Sequence, residues 1–249
     1  MVTTMKITGN KIDFEDAWKK MLTHIHNEGY EVTKDDSTIV EHLGFHLKIK
    51  DPRQRLLGHI SAGDFVDWIE RGAFDIKEYP IKGEALAEYV DSINSIKQLQ
   101  AQGFVYTYPE RLRMTKTISD DDIHFRIDQI RSIVDRLKNN PGSNRAIAAL
   151  YVPGIDYKRV DIPCLQILQA FIRDDKLILS VFFRSNDIYG AFPSNMLFIS
   201  HIGMIIEWEM NKYYEYRKIE FDHIDYHVSS AHYYKTDEDA VNKIIEVKK

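Results

Sequence analysis

Two apolar runs on either side of Asp174 and Asp175 place the strongest constraint on the fold of this 249-residue chain. The run before the two aspartates is LQILQAFI, the run after them is KLILSVFF, and RAIAALYVP lies a little upstream. Short apolar runs bounded by turn residues are typical of buried β-strands. The second half of the chain is therefore predicted to supply central strands of a sheet.

Helical spacing of apolar residues marks other parts of the chain. Such spacing runs from Phe14 to Ile25, with Asp13 placed to cap the start of the helix and Gly29 just past its end. Further helices are predicted within residues 61–102, with a break near residues 80–83, and over residues 119–138 and 196–216. Alternating apolar residues predict strands over residues 39–49 and 218–229.

The sequence contains no internal repeat and no Gly-, Ser- or Pro-rich linker that would divide it. We therefore expect the α+β class, with a single domain over residues 1–249 built on a large mixed β-sheet that is packed by helices.

The composition is that of a folded soluble protein, with 44% hydrophobic and 29% charged residues. A net charge of −5 argues against nucleic acid as a partner, although it leaves room for a small basic pocket that holds one phosphate. The chain has neither a long apolar segment nor a signal-peptide pattern, so we expect no membrane partner and a cytoplasmic location. One cysteine and histidines without an HxxH pattern predict neither a disulfide nor a metal site.

That cysteine, Cys164, is the first candidate for chemistry. It follows Pro163 at the start of the first apolar run, where it is either a buried small side chain or a nucleophile. The second run leads directly into RSND at residues 184–187, and PSN follows at residues 193–195. Polar residues at the end of a strand often contact ligands, and an arginine beside a thiol is expected to lower the pKa of that thiol.

The order and spacing of PC, RSND and PSN resemble the nucleotide-binding core of thymidylate synthases, in which the pattern is Pro-Cys, Arg-Ser-x-Asp and Pro-x-Asn. Downstream, SSAHYY resembles the family's His-x-Tyr, and upstream FVYTYPERL resembles a segment of its archaeal-type members. The similarity covers about residues 103–234. It implies a fold in which the large sheet forms the interface of a homodimer with shared active sites.

The resemblance also implies an activity, the reductive methylation of dUMP with 5,10-methylenetetrahydrofolate as the cofactor. Cys164 would be the nucleophile that adds to carbon 6 of the pyrimidine nucleoside monophosphate, and Asn195 would pair with the base. Tyr106, with Tyr108 as the weaker candidate, would belong to the proton network at carbon 5. Asp187 would act in catalysis and in folate binding.

Other residues would hold the rest of the nucleotide. The resemblance assigns the 5′-phosphate to Arg184 and Ser185, with Arg145 reaching over from a second subunit. Lys34 is the counterpart of an arginine on the family's N-terminal phosphate loop. His232 and Tyr234 would bind the sugar hydroxyl, as the family's His-x-Tyr does.

The sequence also departs from the family pattern. Leu165 follows the cysteine where the family has histidine, and Asp64, Asp67 and Glu70 are three open candidates for the catalytic glutamate. Two alternative functions remain: a hydroxymethylase of dUMP, dCMP or CMP on the same fold, and a catalytically silent nucleotide-binding relative.

Overall fold

The structure is a computed structural model that describes residues 5–6, 10–34, 36–51, 53, 62–71, 79–94, 106–113, 115–118, 123–214 and 216–246. The helices within these ranges are α1 (Phe14–Glu28), α2 (Ala62–Glu70), α3 (Gly83–Asp91), α4 (Tyr108–Arg113), α5 (Gln129–Asn139), α6 (Pro153–Asp156), α7 (Phe192–Tyr213) and α8 (Glu238–Glu246). The strands are β1 (Met5–Lys6), β2 (Tyr30–Lys34), β3 (Ser37–Lys50), β4 (Thr115–Ile118), β5 (Ile123–Ile127), β6 (Ile147–Ala149), β7 (Leu165–Arg173), β8 (Lys176–Asp187) and β9 (Glu220–Tyr234).

One mixed seven-stranded sheet organises the fold. Its order is β1-β3-β9-β8-β7-β6, with β2 paired to β3, while β4 and β5 pair separately. β8 runs parallel to β9, whereas β7 and β8, and β3 and β9, are antiparallel. Parallel neighbours need a crossover connection, which here contains α7. The predicted α+β class and mixed sheet are confirmed.

Helices α1 and α7 cover one face of this sheet, and aromatic side chains fill the space between them. Phe192 of α7 stacks on Phe14 of α1 with ring centroids 6.0 Å apart, and it meets the Tyr226 ring of β9 edge-on at 5.3 Å. The indole N–H of Trp18 donates to the carbonyl of Ile188 at 2.6 Å. Both helices therefore help to fix the end of β8, where the motif RSND lies.

The predicted first helix is confirmed, but its ends work differently from the expectation. Asp13 occupies the N-cap position without making a side-chain capping hydrogen bond, and its carboxylate instead lies 3.5 Å from the ammonium of Lys50. Gly29 has a φ of −76°, so it is not a left-handed cap. It is needed for close packing, since a Cβ there would collide with the carbonyl of Ile25 and lie 3.0 Å from that of Glu41.

The helix predicted over residues 119–138 is wrong in its first half. Residues 123–127 form β5, and α5 begins only at Gln129. Asp128 is the N-cap, and its carboxylate accepts from the backbone N–H of Arg131 at 2.9 Å. Two signals in the sequence mark this boundary. The segment IHFRI alternates with the period of a strand, and Asp128, a residue type that favours the N-cap position, lies in the middle of the predicted helix.

The other predicted elements are present with shifted ends. The break near residues 80–83 separates α2 from α3, and residues 72–78 and 95–102 lie outside the described residues. α7 starts four residues earlier than predicted, with Pro193 in its first turn, where proline is favoured. β2 was not predicted because its burial pattern is almost wholly exposed, so it lacks an apolar run.

Candidate active site

The sheet topology brings the sequence motifs together at one edge. Because β8 and β9 are parallel, their carboxyl ends lie side by side, and Asp187 pairs with His232 in the register. β7 runs antiparallel to β8, so its first residue, Leu165, pairs with Phe183. Cys164 directly precedes β7 and therefore stands at the same edge. Residues far apart in sequence thus face a common place.

Cys164 is partly buried, and burial raises the pKa of its thiol above the ordinary value. The Arg184 guanidinium, a hydrogen bond with Tyr106 and the more distant Lys34 act in the opposite direction, while Asp161 adds to the rise. Arg184 thus lowers the pKa of the thiol as expected, but burial outweighs it and the net shift is upward. The thiolate loses more hydration by burial than the nearby cations restore.

Arg184 explains part of this balance. Its Nε donates to the carbonyl of Pro163 at 3.1 Å, and its terminal Nη2 donates to the carbonyl of Ile162 at 2.7 Å. Its backbone N–H donates to the carbonyl of Cys164 at 2.9 Å. The guanidinium thus holds the chain segment that presents the cysteine, and it is half-buried rather than engaged with the thiol alone.

The charge of the Cys164 thiolate affects the pKa of five tyrosines. For each of them burial is the largest cause of a raised pKa, and the charge of the Cys164 thiolate adds to the rise; they are Tyr89, Tyr106, Tyr108, Tyr226 and Tyr234. Tyr106 donates its hydroxyl proton to the carbonyl of Ile162 at 3.2 Å, and the hydroxyl of Tyr108 accepts from the backbone N–H of Leu165 at 3.3 Å. Both sequence candidates for a proton network therefore lie beside the cysteine.

Polar side chains of β8, β9 and β2 lie at the same sheet edge as the cysteine, and we call them the rim of the site. The hydroxyl of Ser185 lies 3.4 Å from Nδ1 of His232, whose ring meets that of Tyr234 edge-on at 5.6 Å. Burial lowers the pKa of His232, and the positive charges of Lys34 and Arg184 lower it further. Lys34 is exposed two residues beyond Val32, which pairs with Ile39, the partner of Tyr234 in β9. Its charge lowers the pKa of both His232 and the Cys164 thiol.

Asp187 ends β8 and shapes the following turn. Its Oδ1 accepts from the backbone N–H of Gly190 at 2.9 Å. Burial raises the pKa of Asp187 to about 6, because it outweighs the hydrogen bonds from Gly190 and Tyr189, and Asp237 raises it further. A Cβ on Gly190 would lie 2.5 Å from Oδ2 of Asp187, so glycine allows the carboxylate to sit against the turn.

Asn195 lies in the first turn of α7 and belongs to a buried network that the sequence did not predict. Its Oδ1 accepts from the hydroxyl of Tyr89 at 2.7 Å, and its Nδ2 donates to Oδ1 of Asn186 at 3.1 Å. Asn186 in turn donates to the hydroxyl of Tyr226 at 2.9 Å. The signal for Asn186 was a polar residue at the end of an apolar strand, inside RSND, to which no role was assigned.

Some candidates are not brought to the cysteine of the same chain. Arg145 is exposed just before β6. The carbonyl of the adjacent residue, Ala146, accepts from the backbone N–H of Ala170 at 2.8 Å. Ala170 lies five strand residues, roughly 15–20 Å, from Leu165, so Arg145 is distant from the cysteine of its own chain. The three candidates for the catalytic glutamate, Asp64, Asp67 and Glu70, all lie on the exposed side of α2.

Comparison with known proteins decides the family. Residues 67–248 match the family described as "Thymidylate synthase", which is well over half of the chain. The chain belongs to the thymidylate synthase family. The matched range includes Cys164, RSND, PSN, His232 and Tyr234, whereas Lys34 precedes it.

Archaeal relatives of the thymidylate synthase family extend the similarity toward the N-terminus. Each of the following carries the name "Putative thymidylate synthase". The protein of Methanococcoides burtonii is 32% identical over 232 residues, covering 93% of this chain and 91% of the relative. That of Methanothermobacter marburgensis is 28% identical over 94% of this chain and 96% of the relative, and that of Methanosarcina barkeri is 33% identical over 75% and 74%.

None of the described helices combines the length and apolar character that a membrane crossing requires. Among the described side chains, no group of three or more His, Cys, Asp or Glu could hold a metal ion.

Proposed function

We propose that this member of the family is a thymidylate synthase that converts dUMP to dTMP by reductive methylation with 5,10-methylenetetrahydrofolate. The convergence of Cys164, Arg184 and His232 at one sheet edge, within a chain of this family, is the observation that carries the proposal. We further propose that residues 1–249 act as one catalytic domain.

Cys164 supplies the nucleophile. Carbon 5 of uracil is a poor nucleophile, so the sulfur first forms a bond to carbon 6, and the electron pair of the 5,6 double bond moves toward carbon 5 and the carbonyl oxygen at carbon 4. After carbon 5 has been substituted and has lost its proton, the sulfur–carbon bond breaks and the double bond is restored. Tyr106, whose hydroxyl donates to the carbonyl of Ile162 two residues before the cysteine, is the residue that we propose for that proton transfer.

In this proposal, arginine and lysine side chains bind the 5′-phosphate of the nucleotide. Arg184 and Ser185 stand at the site, and Lys34 adds a second positive charge from β2. Backbone carbonyls take Nε and one N–H of Nη2 of Arg184, so the Nη1 and Nη2 end of the guanidinium keeps N–H groups for two parallel hydrogen bonds to a phosphate. In this proposal Arg145 of a second copy supplies a further guanidinium.

The sugar and the base are assigned to the remaining side chains of the rim. His232 and Tyr234, at the end of β9, bind the sugar hydroxyl in this proposal. Asn195 has two donor and two acceptor positions on its amide, and the protein network uses one of each. One N–H and one lone pair are left, which is the complement of the N3–H and O4 groups of uracil.

The side chains at the turn after β8 fit a folate. Asp187 is partly exposed, and one of its oxygens is held by Gly190, so the carboxylate is preset as an acceptor for the N–H groups of a pterin ring. Tyr189, adjacent to it, offers an aromatic face that is only partly buried. When bound, 5,10-methylenetetrahydrofolate supplies the one-carbon unit and the hydride.

A homodimer with shared sites completes the proposal. On the sheet face opposite α1 and α7, alternate residues of β6, β7 and β8 are apolar and exposed: Ile147 by 46%, Ile167 by 38% and Phe182 by 39%. Apolar surface of this kind favours association. Packing this face against a second copy would bury it and carry Arg145 of one subunit toward the partner's site.

The test is incubation of the protein with dUMP, dCMP, UMP or CMP and 5,10-methylenetetrahydrofolate, followed by mass spectrometry of the product. Methylated dUMP is expected, together with a covalent adduct on the Cys164 peptide when 5-fluoro-dUMP replaces the substrate. Cys164→Ser is the matched control and should form neither. A hydroxymethylated product would establish the alternative enzyme, and no product with any nucleotide would establish the silent relative.

A further inference from the structure

Three buried side chains and the partly buried Tyr89 form one hydrogen-bonded chain across the fold beside the cysteine. The order is Tyr89 of α3, Asn195 of α7, Asn186 of β8 and Tyr226 of β9, with donor–acceptor distances of 2.7, 3.1 and 2.9 Å. Asn186, Asn195 and Tyr226 are exposed by only 2%, 5% and 0%. Four different elements thus meet through this chain, which we call the amide network.

The amide network lies at the reactive centre. At one end, the Tyr226 ring lies 5.6 Å from that of Phe183, which pairs with Leu165, the residue after Cys164. At the other end, the rings of Tyr89 and Tyr108 lie 5.6 and 6.1 Å from that of Phe198, and the Tyr108 hydroxyl accepts from the backbone N–H of Leu165. The two amides between these tyrosines are therefore close to where a pyrimidine would react.

The two amides cannot choose their orientations independently. Asn195 donates through Nδ2 to Oδ1 of Asn186. Turning the Asn195 amide alone would place two carbonyl oxygens against each other, and turning Asn186 alone would place two amino groups against each other. A buried polar mismatch of this kind is costly. The orientation of Asn195 consequently follows that of Asn186.

Half a turn of the Asn195 amide exchanges its donor with its acceptor. This exchange is what distinguishes the edge of uracil, a donor at N3 and an acceptor at position 4, from that of cytosine, an acceptor and an amino donor. We propose that Asn186 is the positioning residue that sets the direction of the Asn195 amide and thereby the preference for uracil over cytosine. The inference rests on the proposed function, in which Asn195 contacts the base.

Two substitutions at Asn186 give opposite expectations. In Asn186→Asp, only acceptor oxygens face Asn195, so its Nδ2 stays directed toward residue 186, and Tyr226 can donate to the carboxyl group. In Asn186→Leu, a side chain of similar size forms no hydrogen bond with Asn195. The hydroxyl of Tyr89 can then donate to the Asn195 oxygen or accept from its amino group, so both amide orientations are allowed. The aspartate variant should keep the wild-type preference and the leucine variant should lose it.

The experiment measures dissociation constants for dUMP and dCMP by calorimetry on the full chain, and kcat/KM for both with the folate. We expect the dUMP-to-dCMP ratio to fall at least fivefold in Asn186→Leu and to change less than twofold in Asn186→Asp, on the scale of a mismatched buried pair. Asn211→Leu is the control. Asn211 lies on α7 and hydrogen-bonds both backbone groups of Ile219 at 2.7 and 2.8 Å, so its loss perturbs the same helix without touching the amide network.

The readout is a ratio within one variant, so a general loss of stability or of thiol reactivity cancels. An unchanged ratio in Asn186→Leu, or an equal fall in Asn186→Asp, overturns the inference. Selective binding of dUMP without turnover would overturn the proposed activity while leaving the binding ratios to decide the role of Asn186. A wild-type protein that binds neither nucleotide overturns both.

Discussion

A buried ion cluster at the end of the sheet that lies away from the cysteine offers a demanding test of how the fold is held together. Arg53 donates from Nε to Asp51 at 2.6 Å and from Nη1 to Glu207 of α7 at 2.8 Å. The other carboxylate oxygen of Glu207 accepts from the backbone N–H of Phe221 at 3.0 Å. The cluster therefore connects the end of β3, the middle of α7 and the start of β9.

Replacing Arg53 by Met removes the cation and leaves two carboxyl groups in a buried place. Their side chains are exposed by only 3% and 11%, so water can replace little of the lost interaction. Breaking a buried pair in this way costs about 3–5 kcal/mol in the free energy of unfolding. For a chain of this size the melting temperature should fall by roughly 6–20 °C.

The pH dependence of this loss has a defined sign. Burial already raises the pKa of Asp51 to about 6 against the attraction of Arg53, so without the arginine that pKa rises further. A carboxyl group whose folded pKa exceeds its unfolded value of 3.8 favours the folded state most below pH 3.8, and that contribution is lost as the pH rises through the folded pKa. The Arg53→Met variant should therefore differ most from wild type at pH 8 and least at pH 5.

Urea unfolding followed by circular dichroism at pH 5, 6.5 and 8 measures both quantities. Arg131→Met is the control, because the ion pair of Arg131 with Asp135 is exposed by 61% and 48%, and it should cost less than about 1 kcal/mol. A loss below about 1 kcal/mol at pH 8 for Arg53→Met, or a loss that grows on acidification, would refute the reasoning.

Four further predictions test other parts of the structure. Gly203→Ala, usually stabilising within a helix, should lower the free energy of unfolding by about 1–2 kcal/mol in urea titrations, because the new Cβ would lie 2.6 Å from the Phe221 ring; an unchanged midpoint would contradict this. Burial lowers the pKa of His201 from 6.5 to about 4, so between pH 7 and pH 4 wild type should lose roughly 3 kcal/mol more than His201→Phe; parallel pH curves would argue against it. Alkylation of Cys164 by iodoacetamide should be slow at pH 7 and half-maximal above pH 9.0; a midpoint near pH 7 would show a depressed thiol pKa instead. Mixing Cys164→Ser with Arg145→Ala subunits should restore roughly a quarter of wild-type activity after random exchange, since each hybrid dimer contains one intact site; a mixture as inactive as its parents after confirmed exchange would exclude a shared site.

Local patterns along the chain predicted the central elements well. The runs around Asp174 and Asp175 are β7 and β8, and the helical spacing from Phe14 to Ile25 is α1, because burial on one face or on both leaves a periodic trace in the sequence. The same reasoning failed for β2, which is exposed, and for IHFRI, where a strand directly precedes a capped helix. In both cases pairing with the strand adjacent along the chain, rather than an apolar run, decided the structure.

The candidate site also has a part that the sequence predicted and a part that only the tertiary structure decided. The reactive region was identified from the sequence by the motifs PC, RSND and PSN. Nucleotide chemistry needs particular side chains, and their types and spacing can be read directly from the sequence. What surrounds Cys164 was decided by tertiary structure. The pKa of the thiol depends on how much water the fold removes and on where Arg184 is hydrogen-bonded, and the direction of the Asn195 amide depends on Asn186 and Tyr89 from two other elements. Side-chain identity and spacing are properties of the sequence, whereas solvation and hydrogen-bond direction arise only when distant segments meet.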